Sequence, residues 1–148
     1  MKRNIFMLML ATLVSLLALT SCEKEPPQPK PEELIVGKWL VTAMKVNYNG
    51  TTMEFTPEEK GVEQTYTFNA DGTGLTTVTL LEDESDTVDE HFNYEVLTNG
   101  DELILKIIIE EQSLDVNILT LNNTTLVFYQ EVVEDGLTGN STTTFTRL

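Results

Sequence analysis

From Leu34 to Leu148 the apolar residues recur at every second position, and no stretch sustains a helical period. Runs rich in Val, Ile, Thr, Tyr and Phe alternate with short turn-forming clusters. This predicts eight strands, at residues 36–48, 63–69, 74–82, 90–97, 102–110, 113–121, 125–134 and 141–147. Asp71-Gly72, Asn99-Gly100 and Asn122-Asn123 read as hairpin turns, because a tight turn needs the positive φ that Gly and Asn tolerate, and Asp135-Gly136 with Gly139-Asn140 mark one more. Links this short join antiparallel neighbours, since a parallel pair needs a crossover of about a dozen residues. The expected topology is therefore an up-and-down meander.

Alternation also selects the buried face: Tyr66 and Phe68; Phe92, Tyr94 and Val96; Leu103, Leu105, Ile107 and Ile109; Leu114, Val116 and Ile118. Between them stand Thr65, Thr67, Asn93, Glu95, Lys106, Asp115 and Asn117. Closing such a meander into an all-β, eight-stranded antiparallel up-and-down barrel removes both bare sheet edges. The apolar parity switches after Ile118 to Leu119 and Leu121, which predicts a bulge. A membrane-spanning barrel is the competing reading, and the Thr, Asn, Glu and Asp of the second face argue against it.

Charge and composition narrow the function. With 24 acidic and 9 basic side chains, the formal charge is −15. Nucleic acid is excluded as a partner, because a phosphate backbone is bound by clustered Lys and Arg, and an anionic bilayer surface is disfavoured for the same reason. One Cys and one His cannot supply a Cys/His zinc site or a disulfide framework, and no cofactor is expected.

The N-terminal residues read as an address. Lys2 and Arg3 precede an apolar run from Ile5 to Leu19, fifteen residues and short for a spanning helix, which needs roughly 20. The run ends in Leu19-Thr20-Ser21-Cys22, which resembles the lipobox of bacterial lipoproteins. That resemblance implies a leader over residues 1–21, cleavage after Ser21, and acylation of Cys22, the only cysteine. Two or three acyl chains, at ~0.8 kcal/mol per buried CH₂, would anchor the protein stably to the cell envelope, with the outer membrane as its expected location. Residues 22–33 hold four of the five prolines (Pro26, Pro27, Pro29 and Pro31) and are expected to form an extended tether without helix or sheet. Residues 34–148 form the folded domain.

Within that domain Gly37-Lys38-Trp39 opens the first strand, the longest loop follows it (Asn49 to Val62), and Arg147 lies in the last strand. This pattern resembles the lipocalins, and most closely the short lipocalin-like domains of secreted bacterial lipoproteins. The resemblance implies a calycin barrel with Trp39 plugging one end and Arg147 packed across its indole, a favourable cation–π pair. It further implies noncatalytic binding of a small apolar or amphipathic ligand. Departures are the length of 115 residues, the absence of disulfides and the lack of a match to the family's middle motif.

Little in the chain suggests chemistry. His91 is the one candidate base, and it is out of phase with Phe92 and Tyr94, so it is expected to face water. The acidic stretch Glu82 to Glu90 reads as a solvated hairpin connection, with a weak Ca²⁺ site as the sharper alternative, and Asp86-Thr87-Val88 resembles an O-glycosylation acceptor of some envelope bacteria. The expected barrel lining, Tyr66, Phe68, Phe92, Tyr94 and Phe128, leaves little room for a ligand. A second reading is therefore an accessory or structural subunit of a surface protein complex. Strand polarity places the Glu82–Glu90 loop, the Glu111-Gln112 turn and the Asp135–Asn140 turn at the rim opposite Trp39. Such an acidic rim is expected to favour neutral or cationic amphiphiles over fatty carboxylates.

Overall fold

The computed structural model describes residues 28–83, 85–134 and 137–148. Leu19-Thr20-Ser21-Cys22, the leader, the first part of the tether, Glu84 and the Asp135-Gly136 turn lie outside the described residues.

Among the described residues the alternating sequence forms nine antiparallel strands: β1 (Gly37–Tyr48), β2 (Thr51–Phe55), β3 (Val62–Phe68), β4 (Thr73–Leu80), β5 (Thr87–Asn99), β6 (Glu102–Ile109), β7 (Gln112–Leu121), β8 (Thr125–Glu134) and β9 (Leu137–Arg147). Eight of them close in the order β1-β3-β4-β5-β6-β7-β8-β9, and β1 pairs with β9 from Trp39↔Arg147 to Tyr48↔Gly139. This is the closed, all-β barrel that the period of two predicts.

The ninth strand is a departure. Asn49–Val62, expected to be a loop, holds β2 and a 3₁₀ turn at Glu58–Lys60. β1 carries β3 on one edge only from Gly37 to Leu40, and from Met44 to Tyr48 that edge is taken by β2. A bulge between Val41 and Ala43 marks the exchange. The other expected bulge is present too, with the β7–β8 register shifting between Ile118 and Thr120.

Three boundaries are corrected. Pro31 to Glu33, expected to end an extended tether, form a single helical turn with Leu34, α1 (Pro31–Leu34). Proline at the start of a helix loses no hydrogen bond, because the first amides have no intrahelical partner anyway. β5 begins at Thr87, three residues before the expected start at Glu90, so Thr87, Val88 and Asp89 belong to a strand and not to the acidic loop. Gly139 and Asn140, expected in a turn, pair with Tyr48 and Asn47 inside the ladder.

The core is the barrel interior. Trp39, Val41, Phe68, Phe92, Tyr94, Leu105, Ile107, Val116, Ile118, Leu126, Phe128 and Phe145 are buried together, with Ile35 from beyond α1. Leu114, expected to be buried, is 43% exposed although its parity points inward, because it stands near the mouth of the barrel.

Candidate functional site

One end of the barrel is sealed by a short network around Trp39. Its indole is fully buried, and Nε1 donates to the Ile35 carbonyl at 2.8 Å, tying the chain after α1 to the barrel floor. The Arg147 guanidinium lies over the indole, 4.2 Å from the ring centroid. The same guanidinium donates to three carbonyls: Asn123 from Nε at 2.9 Å, Val36 from Nη1 at 2.7 Å, and Leu34 from Nη2. It thereby joins the entrance to β1, the end of β9 and the β7–β8 turn. Gly37 is required there on two counts, a φ of +137° and a position at which a β-carbon would lie 2.5 Å from Arg147 Nη1. The spacing of Gly37, Trp39 and Arg147 is thus the spacing of a plug.

Above the plug the barrel is filled with rings. Phe68 meets Phe92, Tyr94 and Phe128 edge-on at centroid distances of 5.6, 5.0 and 6.5 Å, and Tyr66 stacks on Phe68 at 6.3 Å. All five aromatic residues singled out in the sequence converge here. Phe145 was missed. It packs 4.7 Å from Phe128 and 5.3 Å from Tyr66, and its parity with Arg147, two residues on, was the available signal. The Tyr94 hydroxyl donates to the Asn69 carbonyl at 2.7 Å, and burial, then the Asp71 carboxylate, raises the Tyr94 phenol above its ordinary pKa.

Toward the other end this packing stops and a hollow of about 110 Å³ remains. Its walls are Val41, Met44, Tyr66, Ile107, Leu114, Val116, Phe128 and Phe145, with Gln64, Gln130, Ser141 and Thr143 as polar contributors. Cavities that enclose drug-sized ligands run roughly 300 to 1,000 Å³, whereas one of ~150 Å³ takes a benzene ring. At about 110 Å³ the hollow is smaller than that, and it suits the end of a chain or part of a ring whose remainder lies in the open mouth. Leu114, in the wall of the hollow, is 43% exposed, and the inward positions Leu80 and Val88 nearer the lip are 41% and 65% exposed, so apolar side chains stand uncovered on the inward face at this end. Tyr48 and Met53 stand exposed on the inward side of the β1–β2 hairpin.

The lip is acidic. Glu82, Asp83 and Asp86 on the β4–β5 connection, and Glu110 and Glu111 between β6 and β7, all lie at this end. Lys45 is held by Glu54 at 2.7 Å, and Lys60 sits over the Phe55 ring at 5.3 Å. His91 is exposed, opposite Leu75 on the outer face, away from the hollow. Among the described residues no group of three or more His, Cys, Asp or Glu side chains is placed to hold a metal.

The chain belongs to the lipocalin-like domain family, which its residues 35–128 match. Among solved structures it is similar to a deswapped triple mutant of bovine odorant binding protein, with 16% identity and a TM-score of 0.45 over 77% of this chain and 74% of that one. It is also similar to lobster apocrustacyanin A1, with 17% identity and a TM-score of 0.44 over 77% and 61% of the two chains. A complex of bovine odorant binding protein with a selenium-containing odorant shares 18% identity, with a TM-score of 0.44 over 86% of this chain and 78% of that one. No curated protein matches the sequence.

Proposed function

We propose that this protein is a lipid-anchored, extracytoplasmic binding protein that takes a small apolar or amphipathic molecule into the open half of its barrel and does no chemistry on it. The carrying observation is the uncovered apolar surface, a hollow of about 110 Å³ walled in part by Leu114, with Leu80 and Val88 exposed at inward positions nearer the lip. Apolar side chains left facing inward at an open mouth gain ~25 cal/mol per Å² when a ligand covers them. Anchoring rests on the Leu19-Thr20-Ser21-Cys22 sequence and the apolar run before it.

Titration of the full chain with N-phenylnaphthylamine, a neutral fluorescent apolar probe, tests the binding reading. Saturable enhancement is expected in the native protein and loss of it in Ser141→Phe, which fills the hollow from its partly exposed wall. Unchanged binding in that variant would place the probe elsewhere. Absence of binding in the native protein would favour the second reading, an accessory subunit of an envelope complex, which the ring-filled half of the barrel supports.

A further inference from the structure

The strand register sets three polar side chains in one row on the inward face. Tyr66 of β3 pairs with Thr76 of β4, and Thr76 pairs with Glu90 of β5. Alternation fixes their direction. Phe92 and Tyr94, two and four residues beyond Glu90, are buried in the barrel, while the adjacent pair Thr77 and Asp89 meets on the outer surface through a 2.8 Å hydrogen bond. Gln64 extends the row toward the mouth, its Nε2 donating to the Tyr66 oxygen at 3.4 Å. Burial raises the Tyr66 phenol above its ordinary pKa, and the nearby Glu90 carboxylate pushes in the same direction. Tyr66 and Gln64 line the hollow together with apolar Val116 and Phe128 and polar Gln130, Ser141 and Thr143, while Glu90 is exposed.

Glu90 stands at the lip without a counter-charge. Among the described residues the one ion pair is Lys45–Glu54, and Arg147 is committed to the opposite end. A carboxylate covered by an apolar ligand loses hydration with nothing in return, unless the ligand itself brings a cation.

We propose that Glu90, Thr76 and Tyr66 form the polar end of a recognition site for an ammonium group, so that the ligand is a small cationic amphiphile, an amine carried on an apolar ring or short chain. All three residues offer oxygen acceptors to N–H donors, and the apolar body then lies against Val116 and Phe128. The inference rests on the binding reading above and adds to it the chemistry of the head group and the residue that selects it.

Three probes with one body and different charge separate the two ideas: 1-naphthylmethylammonium, 1-naphthylmethanol and 1-naphthylacetate, titrated into the full chain at low salt. The ammonium is expected to bind about five- to tenfold tighter than the alcohol, with the carboxylate weakest. Glu90→Gln should bring the ammonium to the level of the alcohol and leave the alcohol unchanged. Glu95→Gln, which removes the same charge from the exposed outer face of β5, should leave the selectivity intact. Binding of the alcohol without preference for the ammonium, or equal effects of the two substitutions, would overturn the ammonium site and keep the binding reading. No binding of any of the three would overturn both.

Discussion

The ring of Phe92 occupies the place that a β-carbon on Gly74 would take, across the β4–β5 ladder where the two residues are partners. Gly74 has no positive φ to explain it, so its role is to admit the ring. Gly74→Ala is expected to displace Phe92 from the aromatic cluster at a cost of about 1–3 kcal/mol, read as a lowered urea midpoint with an unchanged m-value. A smaller loss would mean that the ring has another place to go.

Trp39 and Arg147 should be energetically coupled. A double-mutant cycle with Trp39→Phe and Arg147→Lys is expected to give a coupling of about 0.5–2 kcal/mol, since lysine keeps the charge but cannot serve three carbonyls while lying flat on an indole. Additive losses would show that the guanidinium acts through its carbonyl contacts alone.

Glu110 adopts a left-handed conformation, φ +53°, in the two-residue link between β6 and β7. A side chain there costs about 1–2 kcal/mol that glycine avoids. Glu110→Gly is therefore expected to stabilise the fold, and thermal unfolding checks the sign.

Asp71 accepts hydrogen bonds from the Thr73 amide at 3.0 Å and the Thr73 hydroxyl at 2.6 Å, which hold its carboxyl below the usual aspartate pKa. A depressed folded-state pKa contributes stability above the unfolded value and loses it as pH falls through the folded one. In Asp71→Asn that acid-side dependence should shrink, as followed by the chemical shift of the Thr73 amide during a pH titration.

If the Leu19-Thr20-Ser21-Cys22 sequence directs acylation, labelled palmitate enters the native protein and not Cys22→Ser, and the variant leaves the membrane fraction. Equal labelling of both would remove the lipid anchor from the proposed function.

The barrel was legible in the sequence because its evidence is local. Alternation names Phe92 and Tyr94 as inward, Asp71-Gly72 as a turn, and the parity switch after Ile118 as a bulge. β2 was not legible, since Thr51–Phe55 carries only Met53 and Phe55 as apolar residues and exists by taking over an edge that β3 leaves. Glu90 opened the expected strand 90–97 and also closed the acidic run Glu82–Glu90, and the run masked the inward parity that it shares with Phe92 and Tyr94. The three carbonyls around Arg147 come from segments far apart in the chain and become neighbours only in the folded protein. The size of the hollow depends on how Tyr66, Phe128 and Phe145 interlock, which periodicity does not encode.

The pairing of β1 with β9 also governs when the barrel can exist. The ladder that closes it joins residues about a hundred positions apart, and contacts of such long range make folding slow. Until β9 is made, the β1 and β8 edges that it will cover are bare, the condition under which sheets join the wrong neighbours. Arg147, at the end of β9, covers Trp39 only once that strand has been made. Loss of Arg147 would therefore remove the clasp from a barrel whose other strands are intact.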